Sequence, residues 1–119
     1  MKLSIFMDTF NPVNSIDSFV NYYYSLQMHF LASDLLEKGL SQQQISEAIL
    51  KAMKVGKSSG IEIRKHFMPI FSQRQNEIIK DCKLSSLGYG LVVMNADANL
   101  PVVGDFQVGM LTNFLADKF

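Results

Sequence analysis

The spacing of apolar positions along the chain predicts a series of helices. The longest is expected over residues 15–39, where Ser15 is a candidate N-cap and Gly39 is a candidate C-terminal stop. Its apolar positions recur at helical spacing and form a broad stripe: Ile16, Phe19, Val20, Tyr23, Leu26, Phe30, Leu31 and Leu35. Residues 1–14, which contain an Asn-Pro turn signal, are expected to form an extended lead-in.

A second helix is predicted from residue 41 to residue 56. Ser41 and Gln44 have the spacing of a capping box, and Gly56 marks the expected end. Between them an apolar stripe recurs at i, i+3, i+4, i+7 and i+8: Ile45, Ala48, Ile49, Ala52 and Met53. The lysines of this segment lie off the stripe and are expected to face solvent.

Two shorter helices are predicted between residues 59 and 83. Ser59 and Glu62 repeat the capping-box spacing, and Pro69 suits the first turn of a helix. The first of these helices would carry Ile63, His66 and Phe67, and the second would carry Ile70, Phe71, Ile78, Ile79 and Cys82.

Residues 84–97 have the composition of either a buried strand or a buried helix. The rest of the chain shows no second β-rich run to pair with a strand, so a helix is favoured, with Gly88 and Gly90 allowing close helix contact. A last helix follows Pro101. The expected fold is therefore all-α: a single compact domain, residues 1–119, of five to six helices with a short extended N-terminal segment.

Composition supports one globular domain and excludes several classes of protein. The chain has 119 residues, 48% hydrophobic and 18% charged. Its one cysteine excludes an internal disulfide framework and a Cys-rich zinc site. No segment has the pattern of a signal peptide or a membrane span, so a cytoplasmic location is expected.

The candidate chemical groups do not form a catalytic pattern. His29 and His66 have no metal-ligating partner one helical turn away, and Cys82 lies in no nucleophile motif. Asp97 and Asp105 suit a turn and a helix start. We therefore expect no enzyme activity, no metal, no cofactor and no small-molecule substrate.

Charge is segregated although the net charge is zero. Residues 51–83 carry eight basic and three acidic side chains, whereas the flanking segments are acidic. The predicted nucleic-acid-binding residues are Lys51, Lys54, Lys57, Arg64, Lys65 and Arg74. Main-chain amides of residues 58–60, at the expected start of a helix, could also hold phosphate. The alternative is that these side chains are the solvated faces of helices.

The sequence from residue 80 contains a run that resembles a known family. Lys80-Asp81-Cys82-Lys83-Leu84-Ser85 leads through Leu91-Val92-Val93-Met94-Asn95-Ala96-Asp97 to Pro101-Val102-Val103 and Gln107. Ala52-Met53, Ser59-Gly60 and His66-Phe67 precede it in the family's order. Together these motifs, within residues 50–115, resemble the BRO N-terminal domain of phage antirepressors, baculovirus repeated-ORF proteins and the damage-inducible protein D of bacteria.

The resemblance implies that residues 85–97 form a helix leading into a turn. It also implies a small regulator of the phage or mobile-element type that binds DNA or a DNA-associated partner. The alternative is a protein-interaction module, an inhibitor or a dimerising adaptor, that binds a partner or a second copy through Tyr22, Tyr23 and Tyr24 of the first helix.

Overall fold

The computed structural model describes residues 12–118, with side chains for residues 15–117, and shows a mixed α/β fold. The elements in chain order are α1 (Pro12–Ser25), β1 (Phe30–Leu31), a 3₁₀ helix (Ala32–Lys38), α2 (Gln42–Ser58), a 3₁₀ turn (Ile63–Lys65), β2 (Phe67–Arg74), β3 (Glu77–Leu84), α3 (Ser86–Met94) and α4 (Pro101–Lys118). The strands form an antiparallel sheet in the order β1-β3-β2. The prediction of an all-α fold is therefore wrong.

The sheet is built around a β-hairpin where two helices were predicted. β2 and β3 pair from Phe67↔Leu84 to Arg74↔Glu77, and Gln75 and Asn76 form the two-residue turn between them. Both turn residues have positive φ, 50° and 66°, as a type I′ turn requires. This turn usually contains glycine, and its absence here removed the strongest local signal for a hairpin.

The long helix predicted over residues 15–39 is divided into three elements. α1 begins earlier, at Pro12, and ends at Ser25, whose hydroxyl donates to the Tyr22 carbonyl oxygen at 2.7 Å. β1 and the 3₁₀ helix then follow, and Gly39 ends the 3₁₀ helix with φ 102°. Gly39 therefore ends a helical element as predicted, but the apolar stripe predicted for one long helix is divided among α1, β1 and the 3₁₀ helix. Of the predicted lead-in, residues 1–11 lie outside the described residues.

The predicted second helix is confirmed as α2. The Ser41 hydroxyl accepts from Gln44 N–H at 3.1 Å, and Gln44 Oε1 accepts from Ser41 N–H at 2.8 Å, which completes the capping box. Ile45, Ala48 and Ala52 are buried as the stripe predicted. The helix continues past Gly56 to Ser58, and Ser59 is its C-cap, so no capping box opens a helix at Ser59.

The two last helices are also confirmed. Ser85 is the N-cap of α3, and its hydroxyl accepts from Gly88 N–H at 3.0 Å. α4 packs on α3, where Phe106 lies 4.0 Å from the Cβ position of Gly90. Gln107 Nε2 donates to the Met94 carbonyl oxygen at the end of α3. Gly90 thus allows the predicted helix contact, whereas Gly88 lies against the main chain of His66, just before β2.

The core lies between the helices and the β1-β3 side of the sheet, and the molecule is only 20 Å thick. Its largest fully buried side chains are Leu35, Leu84, Val92 and Val103. The second half of α4 runs beyond this core, and several of its large apolar side chains are exposed: Val108, Met110, Leu111 and Leu115. Within residues 12–118, no helix combines the length and the apolar run that crossing a membrane requires.

Candidate interaction site

Helix α1 presents its apolar side to solvent. We define the α1 stripe as the exposed large side chains Ile16, Phe19, Tyr22, Tyr23 and Leu26 at the end of the helix. Ile16 and Phe19 are 65% and 68% exposed. The opposite side, which faces the domain, is mainly polar, with Ser18, Asn21 and Ser25 beside the half-buried Val20 and Tyr24. A surface helix normally has the reverse arrangement, so the α1 stripe is a candidate surface for binding a protein.

The polar side of α1 packs against the domain around two residues. Ser25 is buried, and its hydroxyl bonds within the helix. The side-chain oxygen of Asn21 is buried without a hydrogen-bond partner in the described part of the chain. Burying an unpaired polar atom is unfavourable. The orientation of α1 therefore does not follow from simple burial of its apolar residues.

The three predicted partner-binding tyrosines take different positions. Tyr22 and Tyr23 belong to the α1 stripe and are 42% and 57% exposed. Tyr24 is half-buried, and its ring lies under two cations, with Arg64 Cζ at 5.6 Å and Lys65 Nζ at 5.7 Å from the ring centroid. Tyr24 therefore joins α1 to the 3₁₀ turn, and it does not extend the exposed surface.

The six predicted nucleic-acid-binding residues fall into three groups. Lys51, Lys54 and Lys57 lie on the solvent face of α2, and no hydrogen bond or ion pair joins them to any described residue. These three lysines form a basic helix face. The one acidic residue of α2, Glu47, lies one turn before Lys51, so the face is most basic around Lys54 and Lys57. Exposed lysines on a helix face are among the groups that contact phosphate.

Arg64 and Lys65 form the second group and are partly neutralised. Arg64 pairs with Glu62 at 3.5 Å and with Asp17 at 3.9 Å, and Lys65 pairs with Glu62 at 3.6 Å. All of these side chains are about half exposed, so solvent screens the pairs strongly. The pairs and the contact with the Tyr24 ring position α1 on the 3₁₀ turn.

Arg74, the third group, is fully engaged inside the protein. Its Nε donates to the Ser33 hydroxyl at 2.9 Å, and its two terminal nitrogens reach Asp34 at 2.9 Å and Glu37 at 3.3 Å. The guanidinium thus holds the hairpin to the 3₁₀ helix. Each of its three nitrogens already donates one hydrogen bond, and two carboxylates offset its charge, so Arg74 does not extend the free basic face of α2.

Arg74 belongs to a buried polar cluster that the sequence did not reveal. We define the Asp81 cluster as Ser33, Ser72, Arg74 and Asp81. One Asp81 oxygen accepts from Ser33 N–H at 2.9 Å and Cys82 N–H at 2.7 Å, and the other accepts from the Ser33 and Ser72 hydroxyls at 2.5 and 2.6 Å. The carboxylate is thereby satisfied by four donors in a site where its burial is otherwise unfavourable.

The Asp81 cluster determines where β1 ends. The N-cap residue of the 3₁₀ helix is Leu31, which has no polar side chain to accept from the first turn. Asp81 on β3 supplies the acceptor for Ser33 N–H, and its negative charge lies at the helix N-terminus. The chain therefore turns from β1 into the 3₁₀ helix beside Asp81.

The expected phosphate site at residues 58–60 is not formed. These residues end α2: Ser59 N–H donates to the Val55 carbonyl and Gly60 N–H to the Lys57 carbonyl. Their amides are therefore occupied, and the helix end that they form carries partial negative charge. The predicted role of this turn in holding phosphate is wrong.

The remaining candidate groups have structural positions. His66 Nδ1 lies 2.7 Å from the Ser85 hydroxyl that caps α3, and His29 is exposed. Burial raises the pKa of the Cys82 thiol to about 12, and the Asp81 carboxylate adds to the increase. The thiol is therefore protonated and unreactive at neutral pH. Within the described residues, no group of three or more His, Cys, Asp or Glu side chains could hold a metal ion.

The acidic pair around Pro101 is only partly as predicted. Asp97 forms a turn in which its Oδ1 accepts from Asn99 N–H at 2.9 Å. Helix α4 begins at Pro101, which places Asp105 in the second turn and not in the first. Asp105 therefore does not cap the helix.

A scan against protein-family models and searches of curated proteins and of solved structures find no match to this chain.

Proposed function

We propose that this protein is a non-enzymatic interaction module that forms a homodimer through the α1 stripe. The observation that carries the proposal is the reversed orientation of α1, with Phe19 68% exposed on the surface and Ser25 buried beneath the helix. Exposed aromatic side chains dominate the binding energy of many interfaces because they bury a large area at modest entropic cost. A cytoplasmic location forms part of this proposal, since the lone cysteine is unpaired and buried.

The exposed area of the α1 stripe is suited to a second copy. With about 200 Å² for a fully exposed large side chain, its five exposed fractions leave roughly 600 Å² per copy, against about 800 Å² per partner in a standard interface. A twofold pairing uses one self-complementary surface on each chain, which makes it the simplest way to cover the stripe.

Replacing Phe19 and Tyr23 with alanine is expected to weaken the dimer by about 100-fold, because both side chains lie at the centre of the stripe. Size-exclusion chromatography with light scattering would report about twice 13.4 kDa for the unmodified protein and a monomer for the double variant. Leu50→Ala is the matched control, since Leu50 is an equally exposed large apolar side chain on α2, outside the stripe. A monomeric unmodified protein at all concentrations would contradict the proposal.

A second candidate function is DNA binding as a regulator of the BRO type, supported by the unpaired lysines of α2. Replacing Lys51, Lys54 and Lys57 with glutamate is expected to abolish binding to a random duplex, measured by fluorescence anisotropy. Binding by the unmodified protein should fall by about tenfold or more between 50 and 200 mM salt, because each phosphate contact releases counterions.

The control for this experiment is Lys38→Glu with Lys80→Glu, which changes two exposed lysines outside α2. This variant should bind the duplex like the unmodified protein. Salt-insensitive binding, or an equal loss of binding in the control variant, would contradict DNA binding through the lysines of α2. These lysines would then be only a solvated helix face.

A further inference from the structure

The edge of β3 that faces β1 is only half covered. β1 pairs with β3 at Leu84 and Lys83 and then ends. In a two-residue hairpin the residues that close the turn, here Arg74 and Glu77, exchange main-chain hydrogen bonds, and every second pair does the same. Ile78 and Lys80 therefore direct their N–H and C=O groups away from β2, to the side where β1 has already ended.

Two observations support this assignment of the edge. Cys82, the next residue in the same phase, donates its N–H to the Asp81 side chain and not to β2. On β2 the matching outward phase contains Pro69, whose nitrogen has no hydrogen to donate. The outer edge of β2 is therefore interrupted by proline, whereas no proline interrupts the β3 edge at Ile78 and Lys80.

A cavity lies directly beside this edge. It has a volume of about 410 Å³, and its walls are β3 from Glu77 to Asp81, the 3₁₀ helix and the first turns of α2. Ile45 and Ile49 of α2 and Ile78 of β3 are among the residues that line it. A wider cleft of about 880 Å³ shares Leu36 and Ile79 with this cavity. We call the smaller cavity the strand slot.

We propose that the strand slot binds an extended peptide segment of a partner protein, which adds to β3 as a strand. The chemistry selects this occupant, because the Ile78 and Lys80 main-chain groups offer alternating donors and acceptors that an extended backbone complements. Alternate side chains of the peptide would contact Ile45 and Ile49 of α2. The Lys80 ammonium favours an acidic residue at one end of the peptide, and the Glu77 carboxylate favours a basic residue at the other. The bound segment would lie along β3 beyond the point where β1 ends, next to the Asp81 cluster.

The test uses the acetylated and amidated peptide Glu-Val-Thr-Val-Thr-Val-Lys as the probe. In a two-dimensional ¹⁵N NMR titration to about 1 mM peptide, a concentration suited to a short and weak interaction, we expect the Ile78 and Lys80 amides to shift and their hydrogen exchange to slow. The same peptide with every backbone nitrogen methylated keeps the side chains, but it has no N–H donors and its methyl groups hold its backbone away from the β3 edge, so it should leave both amides unchanged.

The matched protein variants are Ile78→Pro and Ile78→Val. Proline removes the N–H that faces the slot and leaves the pairing with β2 intact, so peptide affinity should fall at least tenfold, whereas valine should preserve it. The Phe19 and Tyr23 double variant should bind the peptide normally, since the slot does not involve α1. Unchanged Ile78 and Lys80 amides, or equal shifts with the methylated peptide, would overturn the proposal without affecting the proposed dimer.

Discussion

Replacing Asp81 with alanine is expected to destabilise the fold by about 4 kcal/mol, because several buried donors lose their acceptor together. Ser33 and Cys82 would each keep a buried N–H with no partner, and the Ser33 and Ser72 hydroxyls would lose their shared oxygen. The Asp81 side chain also holds the start of the 3₁₀ helix against β3. Its removal thus affects the hairpin and the N-terminal half of the domain together.

Urea denaturation followed by circular dichroism measures this change. Asp34→Ala is the matched control, because Asp34 also bonds Arg74 but is exposed, and its loss should cost less than about 1 kcal/mol. Asp81→Asn keeps the shape and one acceptor oxygen, so it should lie between the two. If Asp81→Ala is as stable as Asp34→Ala, the Asp81 cluster does not hold the sheet to the 3₁₀ helix.

The elements predicted correctly from the sequence depend on local interactions. The capping box of Ser41 and Gln44 uses atoms three residues apart, and the left-handed conformation of Gly39 depends on its own lack of a side chain. Each signal lies within one or two turns of helix. Such patterns retain their meaning in the folded chain because the interactions that produce them are complete within the segment.

The hairpin was missed because its determinants are distant in sequence or atypical. Asp81 is a charged residue on the inward face of β3, so it interrupts the apolar alternation that marks a strand, and its partner Ser33 is 48 residues away. The turn uses Gln75 and Asn76 in place of glycine. Apolar residues on both faces, such as Ile78 and Ile79, then resemble the spacing of a helix.

The candidate site was predicted in part for a related reason. Periodicity identified an apolar stripe on the first helix, but it does not indicate whether the stripe meets the core or solvent. That choice depends on the contacts of Tyr24 with Arg64 and Lys65, which lie forty residues further along the chain. The same limit applies to Arg74. Its positive charge suggested binding to DNA, whereas in the structure its guanidinium bonds Ser33 within the Asp81 cluster.

Replacing Gly88 with alanine is expected to cost about 3 kcal/mol, although alanine is normally the better residue within a helix. A Cβ at Gly88 would lie 2.5 Å from the main-chain oxygen of His66, a contact that requires the backbone to move. That oxygen accepts from Ser85 N–H at 3.1 Å, and the Ser85 hydroxyl caps α3 and contacts His66 Nδ1. Moving α3 away from His66 would therefore disturb all of these bonds.

Gly90→Ala is the matched control, because Gly90 lies in the same helix and its nearest neighbour, Phe106 Cζ, is at an ordinary contact distance of 4.0 Å. This variant should be as stable as the unmodified protein or more stable by up to about 1 kcal/mol. Measured by thermal unfolding, Tm should fall by roughly 12 °C for Gly88→Ala. For Gly90→Ala, Tm should stay the same or rise. Equal Tm values for the two variants would mean that α3 can move from the His66 carbonyl at no cost, and that the contact at Gly88 does not set the position of the helix on the sheet.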